Sequence, residues 1–199
     1  MKLTKKEEAI ILGSLLGDGC MEMNGNHVRL RIEHGLKQEE YLLWKYDALK
    51  RWMTKTSPMK VCAYHKKHKR SYESFRIYTC SNEVFDGYFQ TFYSFGRKIV
   101  PLNISDILKH PLSLAVWFMD DGYKRNDCNA FRFNTDMFSI SDQKKLQKML
   151  KQNFGVESKL HKKGRYRNLY IPRSSSVYFC DVVKRYIIPD LRYKITLTP

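Results

Sequence analysis

Acidic residues are the scarce component of this chain. Only 20 Asp and Glu stand against 36 Lys and Arg in 199 residues, leaving a formal charge of +16 at neutral pH and a pI near 9.6. A field of that sign attracts a polyanion and makes binding salt-sensitive. Nucleic acid is therefore the leading partner. A membrane surface competes poorly, because the positive charge is not confined to one amphipathic helix beside a lipid-anchor signal. Cysteine pairs are also lacking: Cys20, Cys62, Cys80, Cys128 and Cys180 are odd in number, widely spread and never arranged as C-x-x-C. That spacing argues against a disulfide frame and a zinc knuckle and favours an intracellular reducing compartment. It does not separate an organelle matrix from a bacterial or phage cytoplasm. No run approaches the roughly 18 continuous apolar residues of a membrane span, and Met1-Lys2-Leu3-Thr4 opens into a helix without a signal-peptide core. Low-complexity tracts are missing as well, while 43% apolar composition suffices for a buried core.

Two stretches share one design. Leu12-Gly13-Ser14-Leu15-Leu16-Gly17-Asp18-Gly19 and Leu114-Ala115-Val116-Trp117-Phe118-Met119-Asp120-Asp121-Gly122 are apolar runs that end in a carboxylate followed by glycine. Thr4 and Glu7 have capping-box spacing, and the run from Ala9 to Leu16 is too apolar for a one-faced surface helix, so it predicts a buried helix ending at Gly17-Asp18-Gly19. Val28–His34 alternates as a half-buried strand after the turn Asn24-Gly25-Asn26, one face carrying Arg29 and Arg31. A helix from about Lys37 to Trp52, strands around Lys60–Tyr64 and Glu73–Thr79, and a helix opening at Ser81 complete an αββαββα order.

The second half repeats it. The apolar run at 112–121 precedes strand material around Tyr123 and Ala130–Phe133, a helix entered through Ser141-Asp142, a basic strand pair at 156–172 and a helix after Ser174. Asp18 and Asp121 are 103 residues apart, whereas His65 and His161, and Lys98 and Lys194, are each 96 apart, as one seven-residue contraction would produce. The expected architecture is α+β, with halves 1–100 and 101–199 divided at Val100-Pro101-Leu102-Asn103 and pressed together through the two apolar helices.

An Asp-Gly after an apolar helix is an ordinary stop signal when it stands alone. Here the ending occurs twice, at matching places. Two ionised carboxylates buried side by side repel unless one is protonated or a cation lies between them. Asp18 and Asp121, with carbonyl oxygens of Gly17 and Asp120, are the candidate ligands of Mg2+, for which Mn2+ or Ca2+ could substitute in a crystal. Such an ion orients and activates water and neutralises charge on a scissile phosphate. Lys98 and Lys194, each following the last helix of its half, are candidates for supplying positive charge to the transition state or holding its water.

Residues 59–80 carry six Lys or Arg against one acid, and residues 158–173 carry six against none, each on a strand-turn-strand pattern. Two-stranded ribbons fit the DNA major groove. The candidate contacts are Lys60, Lys66, Lys67, Lys69, Arg70 and Arg76 in the first hairpin, and Lys159, Lys162, Lys163, Arg165 and Arg167 in the second. Arg29, Arg31, Lys124, Arg125 and Arg132 extend the basic saddle. His65 and His68 lie among these cations, which suits phosphate contact and opposes metal binding.

The two apolar runs resemble the paired motifs of LAGLIDADG homing endonucleases, specifically single-chain, two-motif members encoded in mobile introns. Asp18-Gly19 and Asp121-Gly122 fall on the motif's closing Asp-Gly, and Pro111–Gly122 is the most specific segment. The resemblance implies two pseudo-symmetric halves, motif helices at their interface with one metal-binding acid from each, and a saddle of β-strands over a long, asymmetric double-stranded DNA target. It also implies hydrolysis of both strands across the minor groove with short 3′ overhangs. Val116 departs from the pattern, standing where a glycine often allows close helix approach, while Gly13 keeps it in the first motif. The chain starts at Met1 and ends Thr198-Pro199 without a terminal His-Asn pair, which suggests a freestanding monomer and not an intein. A maturase assisting its host intron RNA, and a catalytically inactive DNA-binding regulator, are the competing functions.

Overall fold

The computed structural model describes residues 2–65, 69–164 and 166–198, with the Lys163 side chain outside that description. Among the described residues, seventeen α-helices and β-strands follow the repeated order with one insertion. In the first repeat, α1 (Lys5–Leu16), β1 (Cys20–Asn24), β2 (His27–Gly35), α2 (Glu39–Ala48), β3 (Met59–His65), β4 (Arg70–Tyr78) and α3 (Glu83–Phe92) succeed one another. A short hairpin, β5 (Tyr93–Ser94) and β6 (Arg97–Lys98), and the single turn α4 (Ile104–Ile107) lead into the second repeat. That repeat comprises α5 (Pro111–Asp121), β7 (Gly122–Lys124), β8 (Phe131–Phe133), α6 (Ile140–Phe154), β9 (Lys159–Lys163), β10 (Tyr166–Ile171) and α7 (Arg173–Val183). The two four-stranded antiparallel sheets have the same topology, β1-β2-β4-β3 and β7-β8-β10-β9. Identical strand order in two sheets of unlike sequence is what a duplicated αββαββα unit produces.

Local chemistry explains the element boundaries. Thr4 N donates to Glu7 Oε2 at 2.7 Å and Glu7 N donates to Thr4 Oγ1 at 3.2 Å, the reciprocal capping box expected for α1. Helix α5 starts at Pro111, whose missing N–H costs nothing at N1, and His110 Nδ1 accepts from Leu112 N. Helix α6 is entered through Ser139, two residues before the expected entry, because Ser139 Oγ takes the Asp142 N–H. It ends at Gly155 in the left-handed region, φ 65°. The segment expected as one helix from Lys37 to Trp52 has tighter 3₁₀ turns at 36–38 and 50–52 around α2, and α3 begins two residues beyond Ser81. Helix ends commonly tighten in this way to satisfy their last carbonyls.

By packing, the chain forms two compact units: Met1–Glu8 with Asp18–Phe89, and Ala9–Gly17 with Gln90–Pro199. In the first, the alternate residues Val28, Leu30, Ile32 and His34 of β2 are buried with Tyr41, Leu42, Trp52, Ile77 and Phe85. The other face of β2 carries the charge. In the second unit, Phe118, Phe131, Phe133 and Phe179 form an edge-to-face cluster with centroids 5.0–6.1 Å apart, and Trp117 lies 4.2 Å from Phe133. No helix among the described residues is long and apolar enough to cross a membrane.

Glu7 ties the start of α1 to the 50–52 turn. Its carboxylate accepts from Arg51 Nε at 2.5 Å and Trp52 Nε1 at 3.1 Å in addition to Thr4 N, and the Arg51 contact holds its pKa down at about 2 against an ordinary 4.5. A carboxyl depressed in the folded state stabilises above its unfolded pKa, and that stability drains away as pH falls from about 4.5 toward 2. Glu7→Gln should therefore lose about 2–3 kcal/mol at neutral pH and much less near pH 2. Denaturant midpoints of both proteins at the two pH values check this; a gap that does not narrow in acid contradicts it.

Candidate active site and nucleic-acid interface

Within the second unit the segment Ala9–Gly17 packs on α5 at backbone distance. A Cβ added to Gly13 would lie 2.5 Å from the Ser113 carbonyl oxygen and 2.7 Å from Val116 Cβ. Val116 thus fills the space opposite Gly13, so one glycine, not two, permits the crossing. At the ends of the same helices, a Cβ on Gly17 would lie 2.5 Å from Asp120 Cβ and 2.6 Å from its Oδ2. The first motif's glycine is therefore seated against an acid of the second. Gly122 has φ −86°, so it is not a left-handed stop. Its lack of a side chain makes room for Phe118, whose ring carbon would be 2.0 Å from an added Cβ.

The two candidate lysines land at corresponding places. Lys98 Nζ donates to Gly17 O at 2.8 Å, and Lys194 Nζ, almost fully buried, donates to Met119 O at 2.6 Å. Both ammonium groups cap last-turn carbonyls, where the partial negative charge of a helix collects. Asp120 and Asp121 are each partly exposed, and the Asp121 carbonyl accepts from Asn134 N at 3.0 Å. Both acids open into a cleft of about 660 Å³ that Lys124, Arg125, Tyr193 and Lys194 also line. The cleft is thus lined by two carboxylates together with the cations Lys124, Arg125 and Lys194.

In the first unit, Asp18 directly follows Gly17 and is exposed, its carboxylate Oδ2 3.3 Å from Nδ1 of the buried His34. The donor chemistry across the candidate residues is mainly oxygen, carboxylates and carbonyls, which fits magnesium. No described residue offers a thiolate set for a softer metal, since the five cysteines are scattered thiols.

The basic candidates do not all share a surface. Pairing Arg31↔Tyr78, Glu33↔Arg76 and Glu22↔Arg29 puts Arg29, Arg31, Arg70 and Arg76 on the sheet face turned away from the core. Lys60 pairs opposite Phe75 and points to the other face, where it bridges Glu73 at 2.7 Å. Strand alternation over a long hairpin separates residues that lie close in the sequence. In the second sheet, Arg132 and Lys159 flank Tyr170 on one face, whereas Lys124, Lys162 and Arg167 fall on the other. Lys69 sits at the hairpin turn with φ 48°. Lys66, Lys67 and Arg165 lie outside the described residues, as does the Lys163 side chain.

The two sheets also differ electrostatically. Glu22 bridges Arg29 at 2.5 Å and Arg31 at 3.5 Å, and Glu33 bridges Arg76 at 2.6 Å while accepting from Ser74. Burial raises the Glu33 carboxyl, but its bonds from Ser74 and Arg76 outweigh that and hold it below the usual range. Arg29 lies 4.1 Å over the Tyr78 ring. These guanidinium groups are held in fixed poses by acids and an aromatic face. In the second sheet His161 stacks on Tyr170 at 3.8 Å, and burial together with nearby Arg132, Arg125 and Lys159 pushes its pKa down.

Four functional candidates escaped the sequence reading: Glu22, Glu33, His34 and Lys45. The acids look like ordinary strand polar residues until register pairs them with arginine. His34 had a signal, because it occupies an apolar position of an alternating strand. So did Lys45, four residues after Tyr41 and four before Leu49 on the buried side of α2.

Two αββαββα repeats, with motif helices in backbone contact and acids at their ends, define a two-motif nuclease architecture. The model of the LAGLIDADG DNA endonuclease family matches residues 8–179, and the chain belongs to that family. The chain is 30% identical to DNA endonuclease I-ChuI of Chlamydomonas applanata, covering 98% of this chain and 97% of that protein. It is 27% identical to cytochrome b mRNA maturase bI2 of Debaryomyces hansenii, over 97% of this chain and 74% of the maturase. Its fold matches that of the homing endonuclease I-WcaI bound to its DNA recognition sequence with a TM-score of 0.91, at 22% identity, over all of this chain and 89% of that one.

Gly13→Ala tests the backbone contact. Alanine improves intrinsic helix propensity by about 1 kcal/mol, so an open site would be stabilised. Because the new methyl meets a backbone carbonyl, the expected result is a net loss of about 1–3 kcal/mol in chemical denaturation. A stabilised variant contradicts the close approach.

Proposed function

We propose that this protein is a monomeric, site-specific homing endonuclease that breaks both strands of a long asymmetric DNA target by magnesium-dependent hydrolysis, leaving short 3′ overhangs. The observation that carries the reading is the repeated helix ending: a carboxylate after each apolar motif, with a lysine ammonium seated on the last-turn carbonyls of each. Asp18 and Asp121 are the metal ligands in this reading, with carbonyl oxygens of Gly17 and Asp120 beside them. Magnesium held there would supply an activated water and charge neutralisation at the scissile phosphate. The chain's own residues do the remaining work. Lys98 and Lys194 fix the helix ends that present the acids and keep positive charge at the reacting centre. Lys124 and Arg125 meet the phosphate backbone in the cleft, and the sheet faces bearing Arg29, Arg31, Arg76, Arg132 and Lys159 read and hold the duplex.

The names of the relatives support the two parts of the reading separately: I-ChuI is a DNA endonuclease, and I-WcaI was seen bound to its recognition sequence. The maturase relative supports a second reading, in which the same basic surface assists folding of the host intron RNA. Retention of a carboxylate at both motif ends favours cutting.

Cleavage of a randomised duplex library with Mg2+, with EDTA as control, tests activity and reads the target in one experiment. On the selected site, Asp18→Asn and Asp121→Asn should each abolish double-strand cutting while keeping DNA affinity at or above the native level. Asp120→Asn should retain cutting, which separates the neighbouring acids; retained cutting by both Asp18→Asn and Asp121→Asn removes the metal role. Binding measured across a salt series distinguishes the sheet faces. Lys159→Ala should flatten the slope of log affinity against log salt by about 0.9, one phosphate contact, while Lys60→Ala leaves it unchanged. The reverse pattern would place DNA on the opposite faces.

A further inference from the structure

We infer that Phe95 and Tyr193 are a pair of aromatic wedges, one beside each motif lysine, that press against the bases and sugars of bound DNA and loosen its stacking beside the cut. The inference rests on the proposed reading that DNA is cleaved at the motif ends. Phe95 is fully exposed, at 104% the most exposed large apolar side chain among the described residues. It stands at the tip of the β5–β6 hairpin, where the pairs Tyr93↔Lys98 and Ser94↔Arg97 leave a two-residue turn of Phe95 and Gly96. Both turn residues have positive φ, 48° and 71°. Such a turn favours Asn, Asp or Gly at its first position, and a bulky side chain there strains the backbone. Phe95 therefore gains neither burial nor a relaxed backbone from the fold.

What surrounds the ring identifies its partner. Lys98 pairs opposite Tyr93, two positions or about 7 Å along the strand from the tip, and its Nζ donates to Gly17 O at the end of the first motif. Arg97, between them, is exposed. Tyr193 holds a comparable place in the second repeat. It is 66% exposed, immediately precedes Lys194, whose Nζ donates to Met119 O, and lines the cleft that contains Asp120 and Asp121. An exposed ring next to cations suits a ligand that offers anionic and apolar faces together. Phosphate alone would bind the cations and leave the ring in water. Nucleic acid presents sugars and base faces between its phosphates, and apolar side chains inserted at a base step partly unstack it. One ring beside each lysine puts such a contact at both motif ends.

Duplexes enriched by binding to the native protein in EDTA, with 2-aminopurine placed at successive steps of the protected region, report stacking without requiring cleavage. Saturating native protein should brighten the probe at the central steps. Phe95→Asn gives the turn a residue it prefers, so its melting temperature should match or exceed the native one. At saturation it should lose most of the brightening, and it should bind about tenfold more weakly. Tyr193→Ser should show the same two losses. Neither ring is charged, so the slope of log affinity against log salt should stay native in both variants. Phe95→Trp should retain affinity and brightening. Native brightening or native affinity in either Phe95→Asn or Tyr193→Ser, a flattened salt slope, or a Phe95→Asn melting temperature below the native one overturns the wedge pair. Phe95→Asn decides alone if Tyr193→Ser does not fold. Cutting of the same duplexes with Mg2+ is scored separately: native brightening without cutting sinks the endonuclease reading and leaves the contact standing.

Discussion

The backbone contact between the first motif helix and α5 is the constraint from which the candidate site follows. Gly13 lets the Ser113 carbonyl and Val116 come within a distance no side chain would tolerate, and Gly17 repeats the condition at Asp120. Helices this close leave no room for solvated side chains along the seam, which is why both runs are apolar on nearly every face. They also put their C-terminal turns, with unsatisfied carbonyls and negative partial charge, at the end that carries the acids. Like charge at such an end calls for compensation. Lys98 and Lys194 supply part of it on the carbonyls.

The sheets answer a different requirement. Each buries one face under helices and leaves the other polar, so a short antiparallel sheet becomes a platform for charge. The platforms are not equivalent. In the first, Glu22, Glu33 and Tyr78 hold three arginines in set poses, at the cost of net charge. In the second, burial and, after it, the nearby Arg132, Arg125 and Lys159 hold the His161 pKa down. Ordered guanidinium groups are pre-set for directional hydrogen bonding.

Substitution in the second copy has also altered how the helices meet. Val116 occupies the room that Gly13 leaves, and Phe118 occupies the room that Gly122 leaves. Lys98 bonds the carbonyl one residue before Asp18, while Lys194 bonds the carbonyl two residues before Asp121. The pseudo-symmetry is therefore one of topology, and the atomic contacts have been settled separately on each side.

Residue order alone determined the αββαββα repeat, because apolar periodicity, capping pairs and turn residues are local signals with one physical meaning each. Thr4 with Glu7, the alternation of Val28–His34 and Pro111 at a helix start needed no knowledge of neighbours. The motif endings and the charge excess were equally legible. What only tertiary structure decided is which side chains meet across distances the chain does not encode. Strand register sent Lys60 to one face and Arg76 to the other, and paired Glu33 with an arginine 43 residues away. The approach of Lys45 to His34 depends on how a helix lies on a sheet, a geometry that hydrophobic pattern constrains only in outline because many side-chain arrangements satisfy the same pattern.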